Sequence, residues 1–130
     1  MKQINKYIVE RLHINKDIGK QNHHYNYHPK TNNELKELVD KLIKERGNKA
    51  DLNDIDTSEI IDMSYVFYHS SFNGDISNWD VSNVKYMGYM FYKSNFNGDI
   101  SNWNVSNVKD MNRIFLGSPL EKNPPKWYKE

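Results

Sequence analysis

The feature that most restricts the fold of this chain is a repeat with a period of 24 residues in its second half. The eight residues from Phe72 to Trp79 return unchanged from Phe96 to Trp103. Further positions recur at the same interval, namely Met63, Met87 and Met111, and Phe67, Phe91 and Phe115. A unit this short cannot bury its own apolar edge, so the repeat predicts three units that pack against one another.

Each unit has the same order of apolar residues, which predicts two kinds of local structure. In the second unit, Trp79 and Val81 alternate as the residues of a strand do, with Asp80 between them pointing outward. The later spacing of Val84, Met87 and Phe91 is typical of one or two helical turns. The sequence therefore predicts an α/β fold in which each unit contributes a short strand, a tight bend and a helical turn.

An amphipathic helix is predicted over residues 31–46, where it would cover the first unit. Its apolar residues at helical spacing are Leu35, Leu38, Val39, Leu42 and Ile43. The candidate N-cap residues are Thr31, Asn32 and Asn33, and Gly47 follows the last turn. A second helix is predicted over residues 1–14 from the spacing of Ile4, Ile8 and Leu12. Because so short a helix is marginal alone, it needs a surface to lie against, and a homo-oligomer through residues 1–14 is possible.

The C-terminal end of the repeat carries a cap of a different kind. Pro124 and Pro125 lack the N–H donors that another strand would need, and Trp127 stands where the next unit would have its tryptophan. The chain is thus divided into residues 1–50, a helical extension and cap, and residues 51–130, the repeat with its Pro-Pro-x-Trp cap.

Composition excludes several classes of function. The 130 residues include no cysteine, which removes disulfides, thiolate metal sites and cysteine nucleophiles. The longest apolar run near the N-terminus, residues 7–9, is too short for a signal peptide or a membrane span. We therefore expect a cytoplasmic protein without membrane contact. Exposure at the cell surface by another route stays open. The first 50 residues carry an excess of Lys and Arg, but acidic residues alternate with them, which favours a solvated helix over a nucleic-acid site.

Three motifs of the repeat carry a resemblance to a known family. They are Asn-Gly-Asp-Ile-Ser-Asn-Trp-Asp-Val-Ser-Asn-Val at residues 73–84, Met-Gly-Tyr-Met-Phe at residues 87–91, and the Pro-Pro-x-Trp ending. Over about residues 51–128 the chain resembles the BspA-type leucine-rich repeats of bacterial surface proteins. The resemblance implies a short right-handed leucine-rich-repeat solenoid of the α/β class that binds other molecules, in a family spread among bacteria, their phages and protists and rich in exported adhesins.

Two surfaces are candidates for binding. Residues that flank the inward positions of the predicted strands recur as polar rows: Asp54, Asn78 and Asn102; Asp56, Asp80 and Asn104; Ser58, Ser82 and Ser106. These short side chains suit recognition of a partner's cations or backbone donors, but they can equally cap turns within the units. The second candidate surface is a set of tyrosines on the helical side, namely Tyr65, Tyr68, Tyr86, Tyr89 and Tyr92.

The sequence offers little for catalysis or metal binding. His23, His24 and His28 are the one concentration of metal-ligand chemistry, and no third fixed ligand or H-E-x-x-H pattern accompanies them. No phosphate-binding loop or nucleophile motif is present either. We therefore expect no enzyme, no metal and no cofactor.

The preferred hypothesis is a non-catalytic protein–protein interaction module that binds a macromolecular partner through the polar strand-side rows. One alternative is a structural or self-assembling component, such as a surface or virion protein. The other is a phage or mobile-element protein that blocks a host factor.

Overall fold

The computed structural model describes residues 24–129, and regular secondary structure within this range is short. One α-helix, α1, covers Asn32–Arg46, and one 3₁₀ helix covers Pro119–Glu121. Extended segments pair in this range through isolated parallel bridges, namely Tyr27–Ile55, Asp51–Asp75, Asp62–Tyr86 and Tyr86–Asp110. None of the helices among these residues is long and apolar enough to cross a membrane. The helix predicted over residues 1–14, the contact between copies predicted for it, and His23 lie outside the described residues.

Helix α1 confirms the helix predicted over residues 31–46. Thr31 is the N-cap, since its hydroxyl oxygen accepts a hydrogen bond from the backbone N–H of Glu34 at 3.1 Å. Gly47 ends the helix with a φ of 98°, a value that glycine adopts without steric cost. Leu35, Val39 and Leu42 are fully buried, so the apolar face of α1 belongs to the core.

The predicted fold class, an α/β leucine-rich-repeat solenoid, is wrong. Between residues 24 and 129 the chain has no strand longer than a single bridge, and α1 is its one α-helix. At the predicted strand positions Trp79 and Val81 the backbone forms no bridge, and hydrogen bonds to the preceding unit near these positions come from side chains. The indole Nε1–H of Trp79 donates to the carbonyl oxygen of Leu52 at 2.9 Å, and Asn83 Nδ2 donates to that of Ser58 at 2.8 Å.

The segments predicted as helical turns are chains of hydrogen-bonded turns, here called turn segments: residues 63–70, 87–94 and 111–118. Their N–H groups alternate between two kinds of acceptor. In the first turn segment, Val66, Tyr68 and Ser70 donate to the carbonyl three residues earlier, at 3.1–3.3 Å. The N–H groups of the other alternate residues donate to the next unit instead: Met63 to Tyr86, Tyr65 to Gly88, Phe67 to Met90 and His69 to Tyr92, at 2.8–3.2 Å. The second turn segment repeats this pattern toward the third.

Positive φ angles explain why these turns do not continue into helices. Tyr65, Tyr89 and Arg113, which are 24 residues apart in sequence, have φ between 52° and 65°. His69, Lys93 and Gly117 form a second such series, with φ between 52° and 80°. A right-handed helix requires negative φ at every residue, so each of these positions ends the helical conformation.

Aromatic rings at equivalent positions of the units form the centre of the core. Phe67 and Phe91 lie parallel with ring centroids 5.5 Å apart, and Phe72 and Phe96 lie parallel at 6.1 Å. All four side chains are fully buried. Among the described residues, every buried side-chain nitrogen or oxygen has a hydrogen-bond partner. Aromatic residues that are 24 positions apart in the sequence therefore lie next to each other in the core.

The tryptophans link each unit to the one before it. Trp79, Trp103 and Trp127 donate from Nε1 to the backbone carbonyl 27 residues earlier, at 2.9, 3.2 and 2.8 Å. Trp127 also stacks on Trp103, with centroids 6.3 Å apart, and Tyr128 contacts Phe115 edge-on. The tryptophan side of the third unit is thus covered by the C-terminal residues.

Candidate binding surface

The predicted polar rows are engaged within the chain. Oδ1 of Asp56, Asp80 and Asn104 accepts the backbone N–H of the serine two residues later, at 2.9–3.0 Å. These side chains therefore cap turns. Burial acts to raise the pKa of Asp56, but the hydrogen bonds from Ser58 and from His28 outweigh it, so that pKa lies below its usual value. Burial first, and then the charges of Asp56 and Asp80, raise the pKa of Tyr25.

Asp54 is the most strongly held of the predicted residues. Its carboxylate accepts hydrogen bonds from both terminal nitrogens of Arg46, at 2.9 and 3.0 Å, and from Nδ2 of Asn26 at 2.7 Å. The bonds from Arg46 are the main reason why the pKa of Asp54 falls from 3.8 to about 2. Asp54 thus connects the C-terminal end of α1 to the first unit.

Asn78 and Asn102 have exposed side chains at the equivalent positions of the second and third units. Asn78 contributes its backbone N–H to Asn53 Oδ1 at 2.8 Å. That the six residues Asp54, Asp56, Asn78, Asp80, Asn102 and Asn104 bind a partner stays a prediction.

Four of the five predicted tyrosines form one cluster, here called the tyrosine surface: Tyr65, Tyr68, Tyr89 and Tyr92. Tyr65 stacks on Tyr89 with centroids 5.1 Å apart and planes 6° apart, and Tyr68 stacks on Tyr92 at 5.4 Å and 12°. Within each unit the two tyrosine rings, Tyr65 with Tyr68 and Tyr89 with Tyr92, lie at steep angles to each other with their centroids 5.2 Å apart. Tyr65 and Tyr68 are 42% and 43% exposed although their rings are fixed by these contacts.

Three cations lie around these rings, and sequence analysis missed all of them. Lys36 of α1 places Nζ 6.0 Å from the centroid of Tyr65, and the guanidinium of Arg113 lies 5.9 Å from that of Tyr89. Lys93 lies similarly over Tyr92, at 5.4 Å. A signal for Arg113 was available, since it stands at the repeat position of Tyr65 and Tyr89.

Two hydrogen-bonding side chains complete the tyrosine surface. Arg113 donates to the hydroxyl oxygen of Tyr89 at 2.7 Å, and this bond raises the pKa of the guanidinium. The ring of His69 lies edge-on to Tyr68, with centroids 4.5 Å apart. Next to them, a cavity of about 500 Å³ separates the surface from α1, lined by Lys36, Asp40, Tyr65, Val66, Tyr68, His69 and Ser70. Tyr86, the fifth predicted tyrosine, is exposed and has no ring contact with this cluster in the described structure.

The described residues show no arrangement for metal binding: no group of three or more His, Asp or Glu side chains is close enough to hold an ion. His28 instead places Nδ1 3.2 Å from the carboxylate of Asp56. What the geometry offers is a fixed, exposed aromatic surface with positive charge around it.

These features define the class of the protein as a tandem-repeat protein held together by backbone bonds between turns and by rows of aromatic rings. The chain belongs to the family described as Mycoplasma protein of unknown function, DUF285, whose family model matches residues 33–128. The predicted membership of a BspA-type leucine-rich-repeat family is therefore wrong. Comparisons with curated proteins and with solved structures find no match.

Proposed function

We propose that this chain is a non-catalytic protein-binding module and that its tyrosine surface binds an acidic segment of a partner protein. The observation that supports this is the fixed position of four partly exposed tyrosine rings, stacked at 5.1 and 5.4 Å. Tyrosine offers a large contact area and a hydroxyl, and it is enriched in protein interfaces. Rings that are already immobile lose little conformational entropy when a partner binds.

The charges around the rings favour an acidic partner. Lys36, Lys93 and Arg113 lie over the tyrosines, and Asp40 is the one acidic residue that lines the adjoining cavity. Positive charge at the rim attracts carboxylates and speeds their encounter with the surface. That this contact is made in the cytoplasm is part of the proposal and rests on the sequence alone.

The stacking favours a protein over a nucleic acid. Bases bind to proteins by stacking on open aromatic faces. In the Tyr65–Tyr89 stack, the inner faces cover each other, and Lys36 and Arg113 place positive charge within 6.0 Å of the two ring centroids. Tyr65 and Tyr68, which are 42% and 43% exposed, are left for contact with the side chains and backbone of a peptide.

A titration followed by NMR tests the proposal. The probe is the peptide Glu-Leu-Glu-Phe-Glu-Leu-Glu, and the control has Lys in place of every Glu. We expect shifts of the tyrosine-surface ring signals with the acidic peptide, weakened by salt. The variant with Lys36→Glu and Arg113→Glu should bind at least about tenfold more weakly. Its matched control, Lys109→Glu with Lys122→Glu, changes net charge equally at exposed residues without ring contacts and should bind normally.

Two results would overturn the proposal. One is equal binding of the acidic and the basic peptide, or binding of neither to the tyrosine surface. The other is stronger binding of a short oligothymidine to the same rings, which would identify a nucleic-acid site. The structural and phage-related alternatives stay predictions from sequence.

A further inference from the structure

The sequence Phe-Asn-Gly-Asp forms a corner twice in the chain, at residues 72–75 and 96–99, and these are the two places where glycine follows asparagine. Asparagine is chemically labile, and it is most open to attack before glycine, whose nitrogen no Cβ shields. Because Asn73 and Asn97 have the same adjacent residues, a difference in their reactivity must come from the fold.

The first corner, residues 72–75, is hydrogen-bonded on two sides. On one side, the backbone N–H of Asn73 donates to Asn48 O at 2.7 Å. The backbone N–H of Asp75 donates to Ala50 O on the same side, at 2.9 Å. On the other side, the amide oxygen of Asn73 accepts the backbone N–H of Asn97 at 2.8 Å. Both the backbone around Asn73 and its side chain are therefore fixed.

The second corner, residues 96–99, lacks most of these bonds. Between residues 24 and 129, the backbone N–H of Asp99 has no acceptor and the side chain of Asn97 has no hydrogen-bond partner. Asn97 is exposed, whereas Asn73 is half-buried. The reason is that no third corner follows, since the position 24 residues after Asn97 is Glu121 in the 3₁₀ helix. The Asn97 side chain is therefore free to turn.

The attacking nitrogen is available at both corners. Among the described residues, neither the N–H of Gly74 nor that of Gly98 has an acceptor. Both positions also require glycine, because a Cβ at Gly74 would collide with the carbonyl oxygen of Ala50, and one at Gly98 would lie 2.7 Å from the ring of Phe96. What distinguishes the corners is thus the freedom of the asparagine and not the identity of its neighbour.

We propose that Asn97 is a site of spontaneous deamidation, at which the nitrogen of Gly98 attacks the side-chain carbon Cγ. The bond between Gly98 N and Asn97 Cγ forms, the Cγ–Nδ2 bond breaks, and the amide leaves as ammonia with the proton of Gly98 N. Water then opens the cyclic imide at one of its two carbonyl carbons, which gives aspartate or isoaspartate. Asn73 has to break its bond to the N–H of Asn97 before it can react, so it should react about tenfold more slowly.

Deamidation of Asn97 changes the charge of the chain. One new carboxylate takes the formal net charge from +1 to 0. The new charge lies two residues before Asp99, whose Oδ1 accepts the backbone N–H of Ser101 at 2.9 Å. Because the Asn97 side chain has no partner among residues 24–129, conversion to aspartate removes no side-chain hydrogen bond there.

Incubation of the whole chain at mildly alkaline pH, followed by trypsin and mass spectrometry, tests the proposal. Trypsin places the two asparagines in different peptides, residues 50–85 and 94–109. In the folded chain, Asn97 should be converted about tenfold faster than Asn73. The control is the same incubation in urea, where the fold is lost and the same adjacent residues should give nearly equal rates.

Two variants check the site through the charge of the intact chain. Asn97→Gln should lack the acidic species that ion exchange separates after incubation, because the longer side chain has to form a larger and slower ring. Asn95→Gln makes the same change at an exposed asparagine that is not followed by glycine, and the acidic species should form as before.

Three results would overturn the proposal. The first is equal conversion of Asn73 and Asn97 in the folded chain. The second is a preference for Asn97 that persists in urea, since the sequence and not the fold would then set the rate. The third is no conversion of Asn97 in the folded chain over a time in which both residues convert in urea. Neither corner contains a residue of the tyrosine surface, so any of these results leaves the acidic-segment proposal standing.

Discussion

Replacing Trp79 by phenylalanine tests whether the repeated indole bonds stabilise the contact between units. The indole of Trp79 is buried and donates to Leu52 O, which also accepts a 3.3 Å bond from the N–H of Ile55. The same bond recurs at Trp127, where the ring is only half-buried and donates to Ile100 O at 2.8 Å. The pair of variants therefore compares one bond in two environments.

The expected cost for Trp79→Phe follows from two contributions. Loss of ring atoms from a packed core costs about 2 kcal/mol, from the transfer and cavity terms together. The loss of the indole donor leaves Leu52 O with one long hydrogen bond and adds about 1 kcal/mol to the cost, because this buried carbonyl cannot bond to water instead. We expect Trp79→Phe to lower the free energy of unfolding by about 3 kcal/mol. For Trp127→Phe we expect about 1 kcal/mol, because the ring is only half-buried and Ile100 O keeps a 3.2 Å bond from the N–H of Trp103.

Urea unfolding followed by far-ultraviolet circular dichroism measures both variants without depending on tryptophan fluorescence. The slope with denaturant should stay unchanged if the fold is retained. Equal losses in the two variants, or a loss below about 0.5 kcal/mol for Trp79→Phe, would refute the argument.

Three further changes test other contacts. Asn32→Ala should cost about 1–2 kcal/mol, since the carbonyls of Asp62 and Ser64 lose the hydrogen bonds that Asn32 Nδ2 donates at 3.0 and 3.1 Å, whereas Asn33→Ala at the next, exposed position should cost less than about 0.5 kcal/mol; equal values in urea unfolding would contradict this role. Asp54 has a folded pKa of about 2, below its ordinary 3.8, so its pairing with Arg46 stabilises the fold fully above about pH 5 and is lost as the pH falls toward 2. The side chains of Asp54 and Arg46 are 20% and 31% exposed, so we expect solvent screening to limit this stabilisation to about 1 kcal/mol. In thermal melts at falling pH, the Asp54→Asn variant should therefore lose less stability than the unchanged chain by about that amount. Leu42→Glu puts a charge at a fully buried position and should lower the melting temperature by at least about 10 °C; an unchanged melting curve would show that α1 does not cover the core.

Helix α1 was predictable because its signals are local. A threonine N-cap, apolar residues at helical spacing and a glycine after the last turn all act within one stretch of chain. The structure begins the helix at Asn32 and ends it at Arg46, with Thr31 and Gly47 as caps. Which of the three candidate N-caps acts was not decided by the sequence, since all three carry suitable oxygen atoms.

The fold class was not predictable from the same kind of pattern. Apolar residues such as Met63, Val66 and Phe67 have the spacing of a helix face, but a chain of turns places them on one side equally well. The difference lies in the positive φ of Tyr65 and His69. Sequence rules assign such angles to glycine and asparagine, so a tyrosine there gives no warning.

The candidate site was partly predictable. The tyrosines were recognised as a possible surface, but only coordinates separate Tyr86 from the four that stack. Lys36 was not foreseeable as a neighbour of Tyr65, because their contact depends on how α1 lies against the first unit. For Asp80, either binding or turn formation agreed with the sequence, and the structure shows the bond that caps the turn.

The alternating use of N–H groups in the turn segments restricts how such a gene can change in length. Inserting one residue after Met63 would shift every later N–H of that segment by one position. N–H groups that now bond within the segment would point to the next unit, and those that now bond to the next unit would point into the segment, so both sets of hydrogen bonds would be lost. Duplicating or deleting a whole unit preserves the alternation. Length variation in proteins built this way should therefore come in steps of complete units, by recombination between near-identical coding repeats.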